Sequence, residues 1–263
     1  MIKYTKYTPF FLCLLSSSLL AHAEDECSSC EIESGDFYVS VQGGISFSDE
    51  ADMEVVTGSN PLTEWDPAPE GYDSDLGDSE VLGASFGYAI HPLAILEVEV
   101  ANRSSFEYEK YQSGDIPKTR YFDVNNTTVM ANLMFNGSGL DEPFTFETDS
   151  MMWDPFIKIG AGVAYNTVDN FHSVSPDDTV YSVMPENTET SFAYQLGAGI
   201  NIRTEESLVI GIGYRYVNAG DFSSNNYFSG ISSTDSGSVN HQTDPWEGEL
   251  STNEVYIALS YVL

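Results

Sequence analysis

Beyond its first two dozen residues the chain has no apolar run approaching the roughly 20 residues that a membrane-crossing helix needs. That excludes a helical membrane protein. It leaves a soluble fold, or one that crosses a membrane as closed strands, the other structure that pairs every backbone polar group. Basic residues are scarce: 9 Lys and Arg stand against 41 Asp and Glu, a formal net charge of -32 over 263 residues. Such a surface repels nucleic acid and anionic membrane faces, so no nucleic-acid partner is expected. Cysteines number 3, too few for a disulfide-built scaffold. Acidic chains with little apolar content are commonly disordered, but 13% aromatic residues and repeated apolar alternation speak against that here.

The amino terminus sets the compartment. Lys3 and Lys6 precede an apolar run over 9–20, and Ala21-His22-Ala23 supplies small residues at the cleavage positions. This is the pattern of a secretory signal peptide over 1–23. Removing the two lysines and no acid takes the exported chain to a net charge near -34. Cys13 leaves with the signal. Cys27 and Cys30, in Cys-Ser-Ser-Cys, remain in a short periplasmic segment over 24–35. A local disulfide is the expectation in an oxidising compartment. A redox role and a crosslink to another envelope protein are the alternatives.

The rest, 36–263, alternates. In the closing stretch Val255, Ile257, Leu259, Tyr261 and Leu263 share one face, and Glu254, Tyr256, Ala258, Ser260 and Val262 the other. A period of two marks an extended strand. The same period runs through 36–48, 80–90, 93–108, the region around 127–135, 155–166, 192–202 and 208–216. About eight strands result, joined by short turns at His91-Pro92 and 204–207 and by long polar loops over 49–78, 109–120, 167–189 and 221–249. The stretch 140–154 is long where this alternation calls for a short turn.

Charges orient the strands. Glu97, Glu99, Arg103, Lys158, Arg215 and Glu254 all fall opposite the apolar sets. Turning them into lipid costs about 2–4 kcal/mol per Arg or Lys at mid-bilayer. The apolar face therefore points outward and the polar, Gly-rich face inward. A lipocalin-type soluble barrel would reverse this. Aromatics near strand ends favour the membrane form, with Phe37, Phe135 and Tyr261 at one interface and Phe47, Phe106, Tyr165 and Tyr216 at the other. The expected fold is all-β: an eight-stranded antiparallel transmembrane β-barrel with short periplasmic turns and long external loops.

On the segments FYVSVQGGISFS, FGYAIHPLAILEVEV, PFIKIGAGVAY, FAYQLGAGINI, LVIGIGYRYVNAGDF and the closing strand, the chain resembles small outer-membrane β-barrel surface proteins. That family includes OmpA-like barrel domains, opacity proteins and major surface antigens. It usually ends in Phe; this chain ends in Leu263. The resemblance implies a Gram-negative outer-membrane location and loops used for adhesion or host contact. The expected partners are outer-membrane lipid and an external or host surface ligand, with the barrel monomeric.

No residue set nominates a catalytic group, cofactor or metal. The charges Glu97, Glu99, Arg103, Lys158 and Arg215, joined by Glu254, read as an ion-pair network filling the lumen; a gate in a narrow porin-like channel is the alternative. Glycines at 160/162, 197/199 and 211/213 lie within strands, without the following helix of a nucleotide loop. Asp73, Asp75, Asp78 and Glu80 form an acidic cluster with the wrong spacing for a calcium loop. His172, Ser173, Ser175 and Asp177 are the residues that a lipid A-modifying enzyme would have to use.

Overall fold

Alternation of apolar and polar side chains commits the chain to strands, and a membrane leaves those strands no free edge. The computed structural model describes residues 32–51, 54–55, 76–112, 118–140, 142–148, 151–177, 180–204, 207–231, 238–242 and 245–263. Its strands in chain order are β1 (Phe37–Ser48), β2 (Glu54–Val55), β3 (Asp78–His91), β4 (Ala94–Gln112), β5 (Lys118–Asn136), β6 (Phe146–Thr148), β7 (Met151–Val174), β8 (Val180–Val183), β9 (Asn187–Thr204), β10 (Leu208–Ser223), β11 (Tyr227–Ile231), β12 (Ser238–Gln242) and β13 (Trp246–Val262).

Eight of these form the wall, in the ring order β1, β3, β4, β5, β7, β9, β10, β13, with every neighbouring pair antiparallel. β13 returns to β1, pairing Tyr38 with Val262 through to Ser48 with Thr252. The last amide is held too, Leu263 N donating to Phe37 O at 2.8 Å. A walk across paired residues passes from Tyr38 through Gly87, Glu97, Asn132, Gly160, Gln195, Val217 and Thr252. It re-enters β1 at Ser48, 10 residues along. Eight strands with that stagger make a barrel just wide enough for its own side chains to fill.

The strands outrun the membrane. β4 and β5 have 19 residues each and β7 has 24, whereas a tilted span takes about 9–11. The wall continues upward as a sheet outside the bilayer, so most of the stretches 109–120, 167–189 and 221–249, expected as loops, are strand. Their polar composition suits a wall whose outer face meets water. The stretch 140–154 is also explained: β6 pairs with the start of β7, Phe146 opposite Trp153, as a hairpin below β5.

Polarity inverts along the wall. In the lower half Val41, Leu82, Val98, Ile157, Leu196, Ile212 and Ile257 point outward and are exposed, as lipid-facing residues must be. In the upper half the apolar residues turn inward: Phe106, Phe122, Val124, Phe171, Val217, Phe222, Trp246 and Leu250 are buried in one cluster. Tyr108, Phe122 and Phe171 stack in sequence, with centroids 4.5 and 5.3 Å apart. Trp246 meets Phe122 and Phe171 edge-on. Arg120 lies over the Trp246 ring at 4.6 Å; burial lowers its pKa to about 10, which keeps it charged at neutral pH.

On β4 this inversion comes from a bulge. Up to Arg103 the odd-numbered residues face the lumen; the register then shifts between Arg103 and Phe106, with Ser105 at φ 61. Beyond the shift the even-numbered residues face in. Phe106 and Tyr108 are therefore core, 0% and 2% exposed. This corrects the expectation that Phe106 lies in an outer lipid belt. Tyr216 is half-buried; Phe37, Phe47, Phe135, Tyr165 and Tyr261 are exposed, as expected. Deleting Ser105 removes the extra residue and the bulge with it, so Ser104 alternates directly with Phe106, and Phe106 and Tyr108 stay inward on a regular ladder. That variant should keep a protease-resistant extension. Deleting Ser104 and Ser105 together instead turns Phe106 and Tyr108 out and Glu107 and Glu109 in. This should open the extension above Arg103 to protease while the lower barrel still inserts into detergent or vesicles. Equal digestion of the two variants would contradict the assignment.

Candidate functional site

The lumen of the lower barrel is polar because its residues alternate with the lipid-facing set, and large side chains fit only where a neighbouring strand offers none. Tyr38 lies across Gly87, where an added Cβ would come within 2.1 Å of its ring; Tyr256 lies likewise across Gly213, at 2.6 Å. Glycine on the inner face is thus space for a neighbour's ring.

Each sequence-nominated charge, Glu97, Glu99, Arg103, Lys158 and Arg215, is brought into one cluster, with Glu254 as its hub. All six are 6% exposed or less. Lys158 Nζ donates to Glu97 Oε1 at 2.8 Å and lies 3.5 Å from Glu99 Oε2. Arg215 bridges Glu99 and Glu254, at 2.6 Å to each. Arg103 Nε completes the chain on the other Glu254 oxygen. Three cations thus meet three carboxylates, so the buried charge sums to zero.

Neutral side chains supply further hydrogen bonds. Glu97 accepts from the Tyr38 hydroxyl, from Ser85 Oγ at 2.9 Å and from Asn132 Nδ2 at 2.9 Å. Glu254 accepts from Ser46 Oγ at 3.1 Å and Thr252 Oγ1 at 3.2 Å. Arg103 Nη1 donates to Asn126 Oδ1 at 2.7 Å, and Arg215 lies 4.9 Å from the Tyr256 ring centre. A desolvated charge is tolerated only where paired and hydrogen-bonded; within the cluster Arg103 Nη2 and Arg215 Nη2 are the buried nitrogens left without a partner among the described residues.

A second buried pair was missed in the sequence. Arg203 Nη2 donates to Asp154 Oδ2 at 2.7 Å, and the Ser138 amide and hydroxyl reach the same carboxylate at 2.8 Å. Arg203 continues the inward register of Gln195, Gly197 and Asn201; that parity was the available signal.

The lumen is obstructed at three levels. Ile32, in the segment before β1, joins Tyr38, Ile95, Met134, Phe156 and Tyr256 at the periplasmic mouth. The ion pairs occupy the middle, and the aromatic cluster fills the top. Between the lower two levels lies a cavity of about 40 Å³, bordered by Tyr38, Gln42, Lys158, Arg203 and Tyr256. It has room for about three waters.

The other nominated residues do not assemble. His172 points outward, stacked on Tyr121 at 5.0 Å, while Ser173 points inward and is buried, so adjacent residues face opposite sides of the wall. Ser175 Oγ bonds Asp177. Asp78 and Glu80 are exposed at the start of β3; Asp73, Asp75, Cys27 and Cys30 lie outside the described residues. Among the described residues no group of three or more His, Cys, Asp or Glu is placed to hold a metal.

On the outer wall of the extension, Glu107, Asp123 and Asp169 face one another across three successive strands. The Asp169 carboxyl sits above its ordinary pKa, through partial desolvation first and then the charges of Asp123 and Glu186.

A closed eight-stranded barrel with an apolar outer belt and a polar, filled interior is an integral protein of the Gram-negative outer membrane. The chain belongs to the outer membrane protein beta-barrel domain family, whose model matches residues 10–262. Among solved structures it is similar to neisserial surface protein A, with 15% identity, 84% of this chain and 95% of that chain covered, and a TM-score of 0.37. It is similar to Ail, the attachment invasion locus protein of Yersinia pestis, with 13% identity, coverage of 85% and 99%, and a TM-score of 0.34. OprG from Pseudomonas aeruginosa gives 14%, 90%, 99% and 0.43. No curated protein matches in sequence. Likenesses this distant carry no information on activity.

Glu254→Gln leaves Arg103 and Arg215 without their shared carboxylate and should cost about 3–5 kcal/mol, measured by urea unfolding in vesicles. Replacing Arg103, Arg215, Glu99 and Glu254 together with apolar residues should cost less than the single change. A single-variant loss under about 1 kcal/mol would put the pairs outside a desolvated lumen. Asp169→Asn removes a carboxylate whose raised pKa makes its charge unfavourable at neutral pH. The variant should be the more stable at neutral pH in low salt; the gap should close as pH falls through the carboxylate range, and salt should narrow only the part due to Asp123 and Glu186.

Proposed function

We propose that the protein is a non-enzymatic surface barrel that carries a rigid, acidic β-platform outside the cell for contact with an external partner. The observation that carries this reading is the extension itself. The wall continues past the membrane with an aromatic core of its own and turns Glu107, Asp123 and Asp169 outward across adjacent strands. Like charges set opposite one another destabilise a sheet, so that surface does not serve folding. Its complement is a cationic surface, on a host cell or another external partner.

Two observations favour this over the other readings. A lumen filled by side chains whose buried charges sum to zero, between two apolar clusters, offers poor passage to solutes, which speaks against a channel. His172 and Ser173 on opposite faces supply no base and nucleophile within reach of one another, which speaks against lipid A chemistry.

The test has two arms. In planar bilayers the purified barrel should give no steady single-channel current; a large one would replace this reading with transport. Cells displaying the protein should adhere to a polycation-coated surface, less so at high ionic strength. The variant with Glu107→Gln, Asp123→Asn and Asp169→Asn together should lose much of that adhesion while inserting normally. Equal adhesion by variant and parent would overturn the platform.

A further inference from the structure

The periplasmic hairpin formed by β6 and the start of β7 has no part in the lumen or the platform. It nevertheless exposes large apolar groups: Phe144 at 59%, Phe146 at 63%, Leu140 at 46% and Trp153 at 39%. In water such a patch is a liability. It is also firmly held. Ser138 and Arg203 fix Asp154 at the root of β7, Phe144 N donates to Gly137 O at 3.1 Å, and Gly139 packs directly against the β3–β4 turn at Leu93. The patch is thus presented in one orientation.

That orientation follows from strand parity. Trp153 shares the outward face of β7 with Ile157, Ile159, Val163 and Tyr165, all of them exposed. Phe146 is paired with Trp153 and so lies on the same face, and the exposed Phe144 stands against Phe146. The two phenylalanines meet edge-to-face at 5.7 Å. The apolar column that meets hydrocarbon higher up therefore runs unbroken into the hairpin.

Height follows from the stagger. Moving across paired residues from Phe37 through Tyr88, Leu96 and Leu133 reaches Ile159 on β7. With 10 residues of stagger around eight strands, those four steps climb about five residues. The residue level with Phe37 is thus about five below Ile159, at Trp153–Asp154. By the same construction Tyr88, Phe135 and Tyr261 fall near that level. Trp153 is a member of the lower aromatic belt, and the hairpin widens the belt at one sector.

We propose that the β6–β7 hairpin is a lipid-docking element, with Phe144, Phe146 and Trp153 seated among the phospholipid head groups of the inner leaflet. The occupant is lipid because the patch is continuous in face and in height with the lipid-facing wall. The Trp153 indole, apolar with a polar N–H, suits that depth, and the two phenyl rings beside it add apolar area that water would leave exposed. The consequence is an asymmetric anchor that fixes the barrel's vertical position on the β5–β7 side.

The test uses the full chain in phospholipid vesicles. The protein has 3 tryptophans; a variant with Trp65→Phe and Trp246→Phe leaves Trp153 as the reporter. Its emission should be blue-shifted and lose more intensity to bromine placed near the glycerol than at the chain end. Should Trp246→Phe disturb the extension, the unmodified protein can be photolabelled with a phospholipid carrying a diazirine near its head group. Label should appear on peptides covering 142–148 and 151–154 as well as on β1. Phe144→Ser with Phe146→Ser should remove the first and keep the second. Water-like, unquenched Trp153 emission, or label confined to β1, would overturn the proposal. So would protection of the hairpin that rises with protein concentration, which would assign the patch to a second copy.

Discussion

Closure of β1 on β13 is the constraint from which the rest of the molecule follows. Within hydrocarbon no water is present to satisfy a backbone amide, so the first and last wall strands must find one another. That is why the apolar alternation of the closing strand persists to Leu263 and why its amide is bound to Phe37 O. A disordered tail could start inside a soluble sheet's last strand. Here it would unpair β1.

Closing eight strands with a stagger of 10 leaves a narrow interior. The lumen must be filled, and the fill must be polar where the outer face is apolar, because side chains alternate. Two devices reconcile these demands. Glycines beneath Tyr38 and Tyr256 make room for rings, and three cations pair with three carboxylates so that no net charge is buried. Glu254 is central because its two oxygens separately engage Arg103 and Arg215. A lumen so arranged is filled by its own side chains.

Above the membrane the same wall meets a different solvent, and its polarity turns over. On β5 the chemistry changes without any break in the strand's own alternation, the extra residues lying on its neighbours: Val129, Leu133 and Phe135 face lipid, whereas Phe122 and Val124 on the opposite face form core. On β4 the apolar residues stay on even positions throughout, and the bulge at Ser105 re-aims them. A period-two pattern carries parity through a bulge unchanged, and so places Phe106 toward lipid where the fold buries it. The polar stretches past each belt look like loops in the sequence for a related reason. Polar residues on an outer face look the same whether the backbone is paired or not, and only the partner strand decides.

Several things were legible in the one-dimensional pattern because they depend on nearest-neighbour geometry alone. They are the strands, the outward direction of their apolar faces, the inward direction of Glu97, Glu99, Arg103, Lys158 and Arg215, and the need for a closed barrel. Which cation meets which carboxylate, the Asp154–Arg203 pair, the aromatic core of the extension and the hairpin below β5 were decided by the fold. Each depends on register between strands far apart in sequence. Alternation states which side a residue faces; only the closed ring, with its stagger, sets the height at which it sits and the residue it meets across the lumen.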